Sequence, residues 1–340
     1  MKKRVSFLMA LVMLVTLLGG CGSDPQSGDS DVRTVNLRNT ASLTTGDPNM
    51  TTNTHDYTVH ENIYEGLYDL DEATEVMFNV FEGLVKPTPD GDLVPAVADH
   101  YEISEDQTTY TFTLREGVKF HNGETMTADD VVFSYGLAQA SARMASYIRT
   151  LDHVEKVDDN TVKIVMNQPF SPIGHMMYKV KILSQKEVTE QGDDFGKIAN
   201  KAGTGPYMWE EENYNPMTSW SAVAFEDYHR GKPQIERITW HVIEDDTSAI
   251  TALQTGDIDY MVVPISYWED VKSSDKFTCV EKESNEVITF CINIESANHG
   301  ELFRDDNIRL AMMYALDRDG INQLVCDGYG TPTYLHINPT

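Results

Sequence analysis

Apolar and polar residues alternate over residues 110–115, where Tyr, Phe and Leu occupy every second position. This period of two predicts a strand with one buried face. The turn HNGE follows at residues 121–124, because its Asn-Gly pair tolerates the positive φ that most residues avoid. Thr127 then precedes an apolar run with helical spacing, and Asp130 lies three residues later, where an acid can cap the helix. Residues 110–135 therefore predict a strand, a tight turn and a capped helix.

The same periodicities predict further elements before and after this stretch. Strands are expected at residues 32–39, 154–157, 161–166, 207–212, 220–225, 234–243, 258–263 and 287–294. A helix capped by Thr247 or Ser248 should end before Gly256, which suits the left-handed position after a helix. Because this helix lies between two strands, it indicates a parallel pairing within an α/β lobe.

A later helix is predicted at residues 307–316, with Asp305 or Asp306 as its cap. Apolar residues recur there at helical spacing. We expect Met312 and Met313, which belong to this run, to be core residues rather than part of a binding surface.

The first 21 residues have the composition of an export signal. Basic residues occupy positions 2–4, residues 7–18 are apolar, and the small residues before Cys21 resemble the bacterial lipobox. The apolar run of about 12 residues is shorter than the roughly 20 that a membrane-spanning helix requires. We interpret residues 1–21 as a lipoprotein signal peptide with Cys21 as the lipidated residue, and residues 22–32 as a flexible tether. The alternatives are a plain secretory signal and a short membrane anchor.

Composition narrows the class of protein. The 340 residues are 41% hydrophobic and 9% aromatic, which is enough for a large core and for two domains or more. Lys and Arg number 26 against 54 Asp and Glu, giving a formal net charge of −28. Such a field repels nucleic acid and anionic headgroups, so a phosphate-rich partner is disfavoured. Both a preference for cationic ligands and a purely solubilising role fit this charge.

Catalytic and metal-binding patterns are missing from the sequence. It contains no GxSxG or HExxH motif, and no two of its ten histidines are spaced i, i+4. Beyond Cys21, cysteines stand only at positions 279, 291 and 326, without a CxxC pair. We expect them to be small buried residues, with one disulfide pair as the alternative. No catalytic residue, cofactor or metal site is predicted, and an enzyme is disfavoured.

Residues 110–135, YTFTLREGVKFHNGETMTADDVVFSY, resemble the signature segment of the extracellular solute-binding proteins that serve oligopeptide, dipeptide and nickel ABC transporters. GTGPY at 203–207, ALQTGDID at 252–259 and residues 302–332 follow in the same order as in that family. The resemblance therefore extends over nearly all of residues 32–340. It implies a periplasmic-binding-protein-like α/β fold of class II, with two lobes and an inserted extra domain.

The resemblance also implies a division into domains. Residues 33–53 and 167–277 would form a discontinuous first lobe, residues 54–166 the inserted domain, and residues 278–340 the start of the second ligand-binding lobe. Members of the family continue well past the position of Thr340, so we expect the chain to be truncated at its C-terminus. The acidic residue that anchors a peptide's amino terminus in the family would then lie beyond Thr340.

Ligand contacts are implied at the edge of the cleft between the lobes. In the family, the first strand leads into a loop that reaches this edge, and some peptide-binding members bring an aromatic residue to the ligand near the position of Tyr147. The candidate contacts are Thr40, Ala41, Ser42, Leu43, Tyr147 and Asn293. The alternatives are an ordinary solvated loop and a core or surface tyrosine.

One segment occurs twice and departs from the family pattern. VHENIYEGL at residues 59–67 is echoed by VMFNVFEGL at residues 76–84, an offset of 17 residues. The family has a single segment of this kind, and the continuation expected of it follows the second copy, at residues 86–104. We therefore interpret the first copy as a local duplication, because two copies cannot occupy one packing site.

The resemblance implies the substrate-binding component of an ABC importer, a monomer anchored by lipid to the outer face of the bacterial cytoplasmic membrane. Its lobes would close on an extracellular oligopeptide held chiefly by main-chain hydrogen bonds, and it would deliver the peptide to permease and ATPase subunits. With the same fold, the ligand could instead be a nickel chelate, haem or an oligosaccharide. A surface sensor or adhesin without a transporter and an extracellular hydrolase are the alternatives from other classes.

Overall fold

The computed structural model describes residues 33–40, 80–87, 93–141, 144–169, 177–197, 199–215, 217–281, 292–296 and 300–332. The predicted signal peptide, tether and Cys21 lie outside the described residues. The chain divides into two compact units, one up to Val262 and one from Val263 onward. The boundaries of the lobes and of the inserted domain stay predictions.

The strands of the described residues all belong to the first unit. They are β1 (Thr34–Asn39), β2 (Val85–Pro87), β3 (Leu93–Pro95), β4 (Ala98–Ile103), β5 (Thr109–Leu114), β6 (Leu151–Asp158), β7 (Thr161–Met166), β8 (Tyr207–Asn215), β9 (Ser219–Ala224) and β10 (Arg237–Val242). β2 and β3 pair with each other, and the other strands form two four-stranded sheets.

The helices are distributed over both units. Those of the first unit are α1 (Ala128–Ala140), α2 (Met144–Tyr147), α3 (Gln185–Gln191) and α4 (Asp246–Thr255). Those of the second unit are α5 (Ile265–Lys272), α6 (Gly300–Arg304), α7 (Asp306–Ala315) and α8 (Arg318–Val325). No helix among the described residues is long and apolar enough to cross a membrane.

One sheet has the order β1-β10-β9-β8, with β1 parallel to β10 and the other pairs antiparallel. Its buried face is aromatic because Trp220 lies directly opposite Trp240 across the β9–β10 ladder. Their rings stack with centroids 6.5 Å apart, and Trp209 meets Trp240 edge-on at 6.4 Å. Val80 and Phe81, from the segment before β2, are fully buried against the same face.

The other sheet has the order β4-β5-β7-β6 and is antiparallel throughout. Tyr110, Phe112 and Leu114 are buried on alternate positions of β5, which confirms the predicted strand. The strands predicted at 154–157 and 161–166 are confirmed as β6 and β7, which form an antiparallel hairpin. The core over this sheet includes residues of α1 and also Leu84 and Val85, which lie beside Phe81 in sequence.

Helix α1 begins where the sequence predicted. Thr127 precedes it, and the Asp130 carboxylate accepts hydrogen bonds from the Thr127 main-chain N and hydroxyl, at 2.9 and 3.0 Å. The other oxygen of Asp130 accepts from Gln185 N, the first residue of α3. Gly123 in the preceding turn has φ +86°, as the Asn-Gly pair indicated. Asp130 thus caps one helix and holds the start of another.

Two local predictions in the first unit were wrong. The cap of α4 is Asp245, whose carboxylate accepts from both the main-chain N and the hydroxyl of Ser248 at 2.7 Å. The predicted strand at 258–263 is reduced to a single parallel bridge between Tyr260 and Leu37 of β1. The Asp259 carboxylate accepts a hydrogen bond from the main-chain N of Asn36 at 2.7 Å. A side-chain oxygen thus replaces the main-chain carbonyl that a neighbouring strand would supply.

The second unit contains the predicted helix as α7, capped by Asp305 through the main-chain N of Asn307. Met312 and Met313 are 41% and 46% exposed, which contradicts the core role predicted for them. Of the strand predicted at 287–294, only Ile292–Ile294 are described, and they lie outside regular structure. Cys279 and Cys326 are free and half-buried rather than buried, and Cys291 lies outside the described residues.

Candidate functional site

The carboxyl end of β1 is the first part of the candidate site. Because β1 and β10 are parallel, their carboxyl ends meet at one edge of the sheet, the kind of edge where α/β proteins place ligands. Asn39 is buried there, and its carbonyl accepts from Ile243 N at 2.8 Å while its side-chain oxygen accepts from Thr40 N at 3.1 Å. Thr40 is therefore held half-buried at this edge. Ala41, Ser42 and Leu43 lie outside the described residues.

Arg38 fixes this edge from the other face of the sheet, and sequence reasoning missed it. Its guanidinium is almost fully buried and donates to the Ile243 carbonyl at 2.9 Å, the Glu244 carbonyl at 3.3 Å and the Asp246 carboxylate at 2.6 Å. These acceptors form the connection from β10 into α4. The only signal in the sequence was a basic residue inside a predicted strand.

Tyr147, a further predicted contact, ends the short helix α2 and is 39% exposed. Lys179 Nζ lies over its ring, 5.2 Å from the centroid, and 5.1 Å from the ring of buried Tyr178. This arrangement is a cation–π contact of the Lys179 ammonium with one exposed and one buried tyrosine ring. Among the described contacts, none joins Tyr147 to Thr40.

Asn293 belongs to the second unit and is exposed. Its side-chain oxygen accepts from Glu295 N at 2.9 Å, and its carbonyl accepts from Ser296 N at 3.4 Å. These bonds are those of a local turn. The structure therefore shows Asn293 in a solvated bend rather than on the buried strand that was expected.

A buried polar junction lies between the two cores of the first unit, and it was not predicted. Its centre is Glu82, which is 6% exposed. One carboxylate oxygen accepts from Tyr228 Oη at 3.0 Å, and the other accepts from His229 Nε2 at 2.7 Å and from Thr204 Oγ1 at 3.4 Å. A buried carboxylate is stable only with such donors, so this cluster depends on all three segments being in place.

His121, from the HNGE turn, joins the same junction. Its Nε2 donates to the Gly205 carbonyl at 2.9 Å, and its main-chain N donates to the Gly203 carbonyl at 2.9 Å. Burial lowers the pKa of His121 to about 4, although the bond to Gly205 and the nearby charge of Glu82 act in the opposite direction. The imidazole is therefore neutral at pH 7.

The GTGPY bend, residues 203–207, brings its main chain close to the main chain of Val80 in this junction. A Cβ at Gly203 would lie 2.0 Å from the Val80 carbonyl oxygen, a distance that no side chain tolerates. Gly205 N then donates to the same carbonyl at 3.0 Å. The family motif is thus explained by packing, with no ligand required.

The hydrogen bonds of Glu82 and His121 hold the junction together. Glu82 and His121 are enclosed by protein atoms, and the described residues contain no group of three His, Cys, Asp or Glu side chains that could hold a metal. The edge at Thr40 and the ring of Tyr147 are the accessible candidates. Thr40 offers hydrogen bonds, and Tyr147 offers an aromatic ring and a hydroxyl group.

Comparison with known proteins identifies the family. Residues 92–340, well over half of the chain, match the model of "Bacterial extracellular solute-binding proteins, family 5 Middle". The chain belongs to this family. The resemblance drawn from residues 110–135 is therefore confirmed, and so is the periplasmic-binding-protein-like α/β fold.

Three curated relatives illustrate the range of the family. A glutathione-binding protein of Pectobacterium atrosepticum is 28% identical over 78% of this chain and 52% of its own length. The oligopeptide-binding protein AppA of Bacillus subtilis is 26% identical over 100% of this chain and 62% of its own length. Heme-binding protein A of Haemophilus influenzae is 30% identical over 73% and 49%. The chain thus spans about half the length of these relatives.

The structure of AppA in complex with a nonapeptide has the same fold. It superposes with a TM-score of 0.73 at 23% identity, covering 90% of this chain and 58% of that one. Neither the names of the relatives nor this shared fold assigns a ligand to the present chain.

Proposed function

We propose that the protein is the substrate-binding component of an ABC importer that captures extracellular oligopeptides and delivers them to a membrane permease. The observation that carries this proposal is the similarity to AppA, which extends along the whole chain, together with the fold shared with its nonapeptide complex. Membership in an extracellular solute-binding family supports the class of function. No step of chemistry is required of the protein.

The proposed contacts follow from what a peptide offers. Its main chain repeats one N–H and one carbonyl per residue, so a site that bonds to these groups can bind many sequences. The edge at Thr40 lies beside the parallel strands β1 and β10, and Tyr147 presents an aromatic face. Thr40, residues 41–43, Tyr147 and Asn293 remain the proposed ligand contacts.

Haem is the second candidate ligand. The relative that favours it is heme-binding protein A, which is 30% identical over 277 residues. A nickel chelate and an oligosaccharide are further alternatives within the fold, and a surface sensor or adhesin without a transporter is the alternative from another class.

Peptide capture predicts that binding depends on the main chain of the ligand more than on its side chains. Titration calorimetry of the full chain should give dissociation constants within about tenfold for two nonapeptides of unrelated sequence. Methylating alternate peptide nitrogens of either one should weaken binding by about tenfold or more, because each methyl removes a donor. Haemin and a nickel–histidine chelate are titrated in parallel.

Two outcomes of this titration would count against peptide capture. Binding of haemin without binding of either nonapeptide would replace the proposal with the second candidate. Equal affinity for the methylated and unmethylated peptides would show that the main chain is not what the protein recognises.

We also propose that the mature protein is a monomer anchored to the outer face of the cytoplasmic membrane through lipid on Cys21. Labelling expressing cells with a tagged fatty acid should mark the wild-type protein and leave Cys21→Ala unmarked. Cys326→Ala is the matched control and should keep its label. Label persisting in Cys21→Ala would overturn the assignment.

A further inference from the structure

The segment Val80, Phe81, Glu82, Gly83 and Leu84 fills a fitted site that we call the junction slot. Three of these side chains are apolar and fully buried. The slot is formed by residues 96–98, 177–183 and 203–205, which include donors to the main chain of the segment, and by residues 228–229, which bond to the Glu82 carboxylate. Among these bonds, Gly205 N donates to the Val80 carbonyl at 3.0 Å, Ile182 N to the Glu82 carbonyl at 2.8 Å and Ala96 N to the Leu84 carbonyl at 2.9 Å.

The slot places a specific demand on each of its last three positions. At Gly83, a Cβ would lie 2.9 Å from the Val180 carbonyl oxygen and 3.2 Å from that of Tyr178, so glycine is required. At Glu82, a carboxylate receives the donors of Tyr228 and His229. At Leu84, a fully buried apolar side chain joins the core over β5.

The first copy of the duplicated sequence meets the same demands. Aligned at the offset of 17, residues 63–67 read Ile-Tyr-Glu-Gly-Leu where residues 80–84 read Val-Phe-Glu-Gly-Leu. Glu, Gly and Leu are identical at the three demanding positions. The next residues, Tyr68-Asp69-Leu70, repeat the apolar–polar–apolar pattern of the β2 sequence Val85-Lys86-Pro87.

Two differences favour the second copy as the usual occupant. Tyr64 would bring a phenol hydroxyl to the fully buried position of Phe81, which is unfavourable without a partner. The first copy would also lengthen the connection to β3 by 17 residues. That second cost is small, because loop-closure entropy grows only with the logarithm of loop length.

We propose that residues 63–67 are a second occupant of the junction slot and replace residues 80–84 by a 17-residue shift of register when the second copy is disabled. The shift would move 17 residues from the connection after Thr40 to the connection before β3. It would thereby shorten the segment that begins at the edge of the sheet. The slot itself would keep its carboxylate, its glycine and its leucine.

Gly83→Ala tests this exchange in the full chain. Hydrogen exchange followed by mass spectrometry should show the wild type protected at residues 80–87, with that protection moving to residues 63–70 in Gly83→Ala. Gly66→Ala is the matched control and should behave as the wild type. The double variant should protect neither segment and should unfold at a lower urea concentration than Gly83→Ala.

A second set of variants covers the case in which the slot tolerates an alanine methyl at position 83. It consists of Phe81→Asp, the control Tyr64→Asp at the matching position of the first copy, and the double variant that carries both. A charge at the fully buried position of Phe81 must expel the second copy, so protection should again move to residues 63–70. The proposal is overturned if residues 63–70 exchange freely in both Phe81→Asp and Gly83→Ala. It is equally overturned if Gly83→Ala and Phe81→Asp each unfold at the same urea concentration as the double variant that also carries the matching substitution in the first copy.

Discussion

Replacing His229 with alanine is expected to lower the free energy of unfolding by about 3–5 kcal/mol, the usual cost of leaving a buried charge without its partner. Glu82 and His229 lie 2.7 Å apart, and their side chains are 6% and 7% exposed. The substitution removes the shortest hydrogen bond to the Glu82 carboxylate, and Tyr228 and Thr204 supply only the remaining bonds. Urea unfolding at pH 7, followed by tryptophan fluorescence, measures the loss.

His153→Ala is the matched control for His229→Ala. His153 also lies 2.7 Å from a carboxylate, that of Asp152, but both side chains are 52% exposed. Exposed pairs contribute little to stability, so this variant should unfold at nearly the wild-type urea concentration. Similar losses in the two variants would contradict the role assigned to the junction. The result does not depend on which copy fills the slot, since both carry the glutamate.

Acidification from pH 7 to pH 4 is expected to remove about 3 kcal/mol of stability through His121 alone. Burial lowers the pKa of this histidine to about 4 from its ordinary value of 6.5. Below pH 6.5 the unfolded chain binds a proton at this position while the folded chain does not, so protonation favours unfolding. The loss begins near pH 6.5 and is complete below pH 4.

His121→Gln isolates this contribution. Its amide can still donate to the Gly205 carbonyl, but it does not titrate. Urea unfolding of both proteins at pH 7, 6, 5 and 4 should show the wild type losing about 3 kcal/mol more than the variant. The pKa of His241 is also lowered by burial, but this residue is present in both proteins and its effect cancels. If the free energy of unfolding fell equally with pH in the wild type and in His121→Gln, the buried imidazole would not control acid stability.

Local patterns were sufficient for most elements of the first unit. The alternation in β5, the Asn-Gly turn and the cap of α1 each depend on residues within a few positions of one another, so propensity and periodicity describe them. The capping acid of α4 shows the limit of this reasoning. The Asp245 carboxylate accepts a hydrogen bond from the main-chain N of Ser248. The serine hydroxyl also donates to Asp245, so it does not act as the cap itself.

The junction could not be predicted because its partners are distant in sequence. Glu82 is 122 residues from Thr204, 146 from Tyr228 and 147 from His229. In its own segment it resembles any exposed acid next to a glycine. Arg38 has the same difficulty, since its acceptors follow β10, 205 to 208 residues later. The ligand contacts were inferred from family resemblance alone, and they stay proposals.

The short segment before β2 also determines how the first unit melts. Val80 and Phe81 belong to the core of one sheet, and Leu84 and Val85, only three residues further on, belong to the core of the other. Neither core can be opened without withdrawing residues from its neighbour. The two sheets should therefore unfold as a single cooperative unit, so a substitution that destabilises one sheet also destabilises the other.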